Sequence, residues 1–151
     1  MISILKFLHL LSIVVWVGGM FFAYVVLRPS AADILQPPER LRLWDKVFSQ
    51  FFNWVWLAVT LILVSGFYMI SLFGGFTNIP PYINIMMLLG LVMVMIYAYV
   101  FFKCFSAFKR SVVKQEWPGA GAILGTIRKL VGLNLSIGLL TIAVAILGKG
   151  V

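Results

Sequence analysis

Long runs of apolar residues alternate along this chain with shorter stretches that carry most of its charges. Four of the runs are long enough to cross a bilayer, which takes about 20 apolar residues. They cover residues 2–27, 52–73, 82–102 and 130–147, and Gly or Pro lies at several of their boundaries. The pattern predicts an all-α integral membrane protein, in which residues 1–151 form a single transmembrane domain built as an antiparallel four-helix bundle.

The segment between the first two runs has its own helical pattern. It begins with two prolines, which suit the first turn of a helix, and its large apolar residues then recur every three or four positions: Leu41, Trp44, Phe48, Phe51 and Val55. This pattern predicts an amphipathic helix after the first span, lying in the cytoplasmic interface of the membrane and bending into the second span. A weaker pattern of the same kind, with Phe105, Phe108 and Val112 on one face, follows the third span.

The composition agrees with a membrane protein. Hydrophobic residues make up 63% of the chain, charged residues only 11%, and the mean hydropathy is +1.10. Soluble domains carry about 25% charged residues. The net charge of +8 does not indicate nucleic-acid binding, because the cations flank apolar spans and are not mixed with polar groups that could read bases. The partner that this charge predicts is the lipid bilayer.

The positions of the cations also predict which way the protein crosses the membrane. Apart from Lys6 and Lys149, every lysine and arginine lies in the two segments 28–51 and 103–129. Positively charged loops are retained on the cytoplasmic side. The sequence therefore predicts cytoplasmic long loops and two periplasmic termini. Cys104 is the only cysteine, which excludes an internal disulfide.

The only histidine of the chain, His9, lies within the first span. On a helix it shares one face with Ser12, Trp16, Gly19 and Ala23. His9 and Ser12 would be costly against lipid, and the pair Gly19 and Ala23 would let another helix approach closely. We therefore expect this face to point into the bundle.

Two further spans show a matching polar pattern. Asn53 and Thr60 are separated by the same interval in the second span as Asn134 and Thr141 in the fourth. This hints at an internal duplication and predicts that both helices turn a polar stripe inward.

Several soft or polar side chains are expected at the depth of His9, counted inward from the outer ends of the spans: Ser65, Gly66, Met69, Asn84, Met86, Met87 and Thr141. Thioethers together with an imidazole suit Cu(I), whereas a neutral imidazole suits haem iron. The candidate metal ligands are therefore His9, Met69, Met86 and Met87. The candidate cofactor-binding residues are His9, Trp16, Met69, Asn84 and Met87.

The residues alone leave three interpretations of His9 open: a copper ligand, an axial ligand of haem b, or a structural group that forms a hydrogen bond across the bundle. Enzymatic chemistry has little support. All four acidic residues lie outside the predicted spans, and the sequence contains no nucleophile–base pair and no phosphate-binding glycine loop. The sequence thus favours a non-enzymatic role.

The stretch LKFLHLLSIVVWVGGMFFAYVVLRP resembles the first helix of the CopD family of bacterial inner-membrane proteins, which are associated with copper resistance and uptake. Its most specific part is the pattern formed by His9, Trp16, Gly18 and Gly19, and the likeness extends to FFNWVW and to the last span. The resemblance implies a multi-pass protein of the bacterial inner (plasma) membrane that handles copper near His9. It also suggests a periplasmic copper protein as a partner.

The His-before-Trp-Gly pattern is also similar, more weakly, to HemJ-type membrane proteins, which are thought to bind haem b through this histidine. That likeness implies a haem b-binding redox protein with His9 as axial ligand. A different class of function is an accessory subunit of a larger membrane complex, such as a respiratory one. The chain could also form a homo-oligomer, in which a second ligand would come from another copy.

Overall fold

Four long helices form the protein. The computed structural model describes residues 1–150 and contains α1 (Ile2–Ile34), α2 (Pro37–Leu72), α3 (Pro81–Val113) and α4 (Trp117–Gly150). Each of them is long and apolar enough to cross a membrane. Prolines stand in the first turns of α2, α3 and α4, where a missing N–H costs nothing. The predicted all-α four-helix bundle is confirmed.

The helices extend well beyond the predicted spans. With 33 to 36 residues each, they are about 50 Å long at 1.5 Å per residue, whereas the apolar layer of a bilayer is about 30 Å thick. The two basic segments expected to be long loops are therefore mostly helical, and only residues 35–36 and 114–116 connect the helices at that end. At the opposite end, Gly74 and Gly75 adopt positive φ angles in the connection between α2 and α3.

The predicted amphipathic helix exists, but it is not a separate interfacial element. It forms the first turns of α2, without a break before the second span. Its apolar face is buried in the bundle: the rings of Phe48 and Phe105 are 6.0 Å apart, and those of Phe48 and Phe108 are 6.2 Å apart. The matching face of α3 provides these partners. The pattern predicted the helix correctly but could not show that the protein itself, rather than the membrane surface, covers it.

The two halves of the chain repeat one another in structure. The helix α1 packs mainly against α2, and α3 mainly against α4. Both α1 and α3 contain a short π-helical stretch toward the cation-rich end, Phe22–Leu27 and Val100–Phe105. Just after each stretch a cation lies over the aromatic ring four residues earlier, Arg28 over Tyr24 at 4.5 Å and Lys109 over Phe105 at 5.5 Å. These features support the duplication that the sequence hinted at.

The predicted polar stripe is present in α4 but not in α2. Asn134 is only 3% exposed and Thr141 is half-buried, whereas Asn53 and Thr60 are exposed. The second helix instead turns Phe52, Val55 and Val59 inward. Asn53 and Thr60 can face outward because each donates a hydrogen bond to a carbonyl of its own helix, four residues earlier. The prediction for α2 was therefore wrong.

Most of the buried core lies in the middle of the bundle and toward the cation-rich end. It is dominated by aromatic rings from α2 and α3. At the opposite end, where the termini lie, α3 has no buried residue before Met93 and α4 has none after Gly138, within the described part of the chain. His9 therefore lies in the more thinly packed half of the bundle.

Candidate functional site

His9 is half-buried on α1 and is held by a side chain of α2. Its Nδ1 lies 2.9 Å from the hydroxyl oxygen of Ser65, which is only 3% exposed. The other members of the predicted face point inward as expected, with Ser12 and Trp16 buried and Gly19 partly buried. Gly19 lies directly against the ring of Phe51 in α2. The prediction that this face of α1 enters the bundle is confirmed.

The surroundings of Ser65 favour one tautomer of His9. The Ser65 hydroxyl donates its only hydrogen to the carbonyl of Leu61, one turn earlier in α2. With its hydrogen engaged in this way, the Ser65 oxygen accepts from His9, an arrangement that fits the tautomer with the proton on Nδ1. In a neutral imidazole the lone pair is then on Nε2. Histidines that bind metal use this arrangement, in which one ring nitrogen donates a hydrogen bond and the other coordinates.

A glycine of α2 gives the imidazole its space. A Cβ placed on Gly66 would lie 3.4 Å from Cε1 and 3.9 Å from Nδ1 of His9. A larger side chain at this position would press on the ring. Ser65 and Gly66, both expected from the sequence at the depth of His9, are thus brought together with it.

The other sequence candidates are less well placed. Met69, Met86 and Met87 are only half-buried and Asn84 is exposed. Met86 and Met87 belong to α3, which packs mainly on α4 rather than on α1. None of the three methionine sulfurs forms a hydrogen bond with His9. Among residues 1–150, no three His, Cys, Asp or Glu side chains come close enough to hold a metal ion together.

Trp16 packs in the middle of the bundle. Its ring lies edge-on to that of Tyr97, with the centroids 6.0 Å apart. Tyr97 donates a hydrogen bond from its hydroxyl to the backbone carbonyl of Phe52, over 3.0 Å, and so connects α3 to α2. Trp16 and Tyr97 are separated by the same 81 residues as Asn53 and Asn134, so the two halves of the chain meet at this pair of rings.

A central cavity of about 270 Å³ lies beside Trp16 and Tyr97. Its walls are almost entirely apolar, and the buried Met20 and Asn134 are among the residues that line it. The side-chain amide of Asn134 donates to the carbonyl of Met93 at 3.3 Å, but its oxygen Oδ1 has no hydrogen-bond partner. A buried unpaired amide oxygen is costly in an apolar environment. This oxygen and the Met20 thioether are therefore candidates for contact with a guest in the cavity.

Met20 was not among the candidate ligands predicted from the sequence. Met20 follows Trp16 by four residues and so continues the inward face of α1, which is the signal that could have revealed it. The methionines predicted as ligands were those at the depth of His9, and depth was the only property that selected them. Burial depends on helix rotation and pairing, which depth does not give.

A second cavity of about 330 Å³ lies at the cation-rich end, between α1 and the first turns of α2 and α4. It shares Ala23, Phe48 and Val131 with the central cavity, so the two adjoin. His9 lines neither of them.

The fold and these interior features define a multi-pass membrane protein with a histidine held between its first two helices. Comparison with known families identifies it further: residues 45–147 match the family described as copper resistance protein D, CopD. Because the match covers more than half of the chain, the protein belongs to the CopD family. The His9, Trp16 and Gly18-Gly19 pattern precedes the matched residues. No curated protein sequence and no solved structure matches the chain significantly.

Proposed function

We propose that this protein handles copper in the bacterial inner membrane and that His9 binds the ion near the periplasmic end of the bundle. The observation that carries the proposal is the hydrogen bond to Ser65, which orients the imidazole and leaves the lone pair on Nε2. Family membership supports copper as the substrate. Haem b has no comparable support from family membership, which points to copper.

Further donors would be needed for an ion that moves inward. Met20 lies about 16 Å from His9 along the axis of α1, at 1.5 Å per residue. It lines the central cavity together with Asn134, whose Oδ1 is unpaired. A thioether and an amide oxygen in an apolar cavity would hold Cu(I) weakly. Weak binding suits a site on a transport path, because the ion must also leave it. We propose that Met69, Met86 and Met87 receive copper from a periplasmic copper protein.

The orientation in the membrane is part of the same proposal. The two ends of the bundle differ strongly in charge, since only Lys6 and Lys149 lie toward the termini. The positive-inside rule then places the connections at 35–36 and 114–116 in the cytoplasm and His9 toward the periplasm.

The test compares the purified wild type with three variants, His9→Ala, Ser65→Ala and Ser12→Ala, by Cu(I) competition with a chromogenic chelator. We expect His9→Ala to lose the bound copper. Ser65→Ala should weaken binding by about 10- to 100-fold, the usual effect of removing a partner that orients a ligand. Ser12→Ala is the matched control, because Ser12 is equally buried but bonds only to Leu8 of its own helix.

The competing functions give different results in the same preparation. Equal copper binding by wild type and His9→Ala would contradict the proposal. A red protein whose Soret band is lost in His9→Ala would instead indicate haem b. A colourless, metal-free wild type that co-purifies with a larger complex would indicate an accessory subunit.

A further inference from the structure

The cavity at the cation-rich end combines positive charge with an apolar wall. Three arginines line it, Arg28, Arg40 and Arg128, and no aspartate or glutamate does. Aromatic side chains form much of the remaining wall: Tyr24, Trp44, Phe48 and Trp117. Like charges gathered around one space repel each other, and an anion placed among them would relieve that repulsion. Guanidinium groups are also well shaped for bidentate binding of phosphate.

One of the three arginines is held by an aromatic ring of the cavity wall. The guanidinium carbon of Arg28 lies 4.5 Å from the centroid of the Tyr24 ring, which fixes the cation against the cavity wall. Arg42, just outside the cavity, lies over the ring of Trp117 at 5.2 Å. At least one of the cavity's three cations is therefore held against an aromatic side chain of the wall.

Two glycines of α4 open the cavity. Gly121 and Gly125 both line it, and a Cβ added at either position would meet no atom within 4 Å. At the corresponding positions of the other half stand Arg40 and Trp44, of which Trp44 is only 5% exposed. The absence of side chains at Gly121 and Gly125 thus leaves room beside Arg40 and Trp44, which line the same cavity.

From this combination we propose that the cavity binds an anionic phospholipid of the surrounding bilayer, with its phosphate among Arg28, Arg40 and Arg128. The volume of about 330 Å³ is at the lower end of ligand pockets and holds a headgroup and the start of one acyl chain. The rest of the lipid would remain in the bilayer, because exposed residues such as Ala32 and Pro37 at the rim leave the cavity open. Basic pockets between membrane helices recognise anionic headgroups in this way.

The test is native mass spectrometry of the full-length protein in detergent, titrated with phosphatidylglycerol or phosphatidylcholine of the same acyl chains. The wild type should prefer phosphatidylglycerol by about tenfold or more, since each interfacial arginine contributes on the order of fivefold. The double variant Arg40→Gln/Arg128→Gln should lose most of this preference. The double variant Arg110→Gln/Lys114→Gln should keep it, because it removes the same charge from exposed positions outside the cavity.

A second pair of variants tests the apolar part of the site. Gly125→Leu fills the cavity and should weaken phosphatidylglycerol binding, whereas Gly119→Leu should not, since Gly119 has equally open space but does not line the cavity. Equal binding by the cavity and control variants would overturn the proposal. Displacement of the lipid by millimolar inorganic phosphate, with no effect of Gly125→Leu, would also overturn it and would indicate a small phosphate ligand. The copper-binding assay on the same variants is expected to be unchanged.

Discussion

The close approach of α1 and α2 at Gly19 allows a stability prediction with an internal control. In Gly19→Ala the new methyl group would overlap the ring of Phe51, whereas in Gly18→Ala, one residue earlier, the methyl group would meet nothing within 4 Å. Both substitutions replace glycine by alanine within one helix. Both therefore gain the same helix propensity, up to about 1 kcal/mol. The difference between the two variants isolates the steric cost.

The structure also limits the size of this cost. Overpacking in a core costs about 1–3 kcal/mol. The atoms of Phe51 that would be displaced are at the far end of its ring, and Phe51 lines the central cavity of about 270 Å³. The ring can therefore move part of the way into that space, which places the cost in the lower half of the range, about 1–2 kcal/mol. For a chain of this size, 1 kcal/mol shifts the melting temperature by about 2–4 °C.

We therefore expect Gly19→Ala to melt about 2–8 °C below Gly18→Ala, from the stability difference above and the same conversion. The assay is thermal unfolding in detergent, followed by circular dichroism. In a Phe51→Leu background the two variants should melt together, because the ring that causes the overlap is gone. Equal melting of Gly18→Ala and Gly19→Ala in the wild-type background, or an unchanged difference with Leu at position 51, would refute the predicted contact between α1 and α2.

Two further predictions concern topology and the central hydrogen bond. With Cys104 replaced by serine, Thr77→Cys should react with a membrane-impermeant thiol reagent added to intact cells, and Lys114→Cys should not. The reason is that the cation-rich end of the bundle is expected in the cytoplasm. The reverse labelling would overturn the orientation and the periplasmic placement of His9. Tyr97→Phe should lower the free energy of unfolding by about 0.5–1.5 kcal/mol, since it removes the buried hydrogen bond to the Phe52 carbonyl. Tyr99→Phe, at an exposed position, is its control, and an equal loss in both would mean that the hydrogen bond contributes nothing.

The sequence by itself determined the class of fold. Four apolar runs of about 20 residues can satisfy their backbone groups in lipid only as helices, so the four helices followed from composition and length. The inward face of α1 also followed, because His9 and Ser12 could not face lipid cheaply and Gly19 could accommodate a neighbouring helix. Ser65 and Gly66 were correctly expected near His9, because antiparallel helices place residues of equal depth side by side.

The tertiary structure decided how each helix is rotated and which helices pair, and neither follows from residue depth or periodicity. The rotation of α2 placed Phe52 and Val55 inside and Asn53 outside, a choice that hydropathy cannot make, since an asparagine can satisfy its own helix carbonyl at either place. The helix α3, which carries Met86 and Met87, packs mainly on α4 rather than on α1, a pairing that residue depth does not predict. The two cavities, and the unpaired oxygen of Asn134, arise from how side chains of three helices fill common space. Such packing depends on the relative positions of whole helices, which one sequence read along its length does not contain.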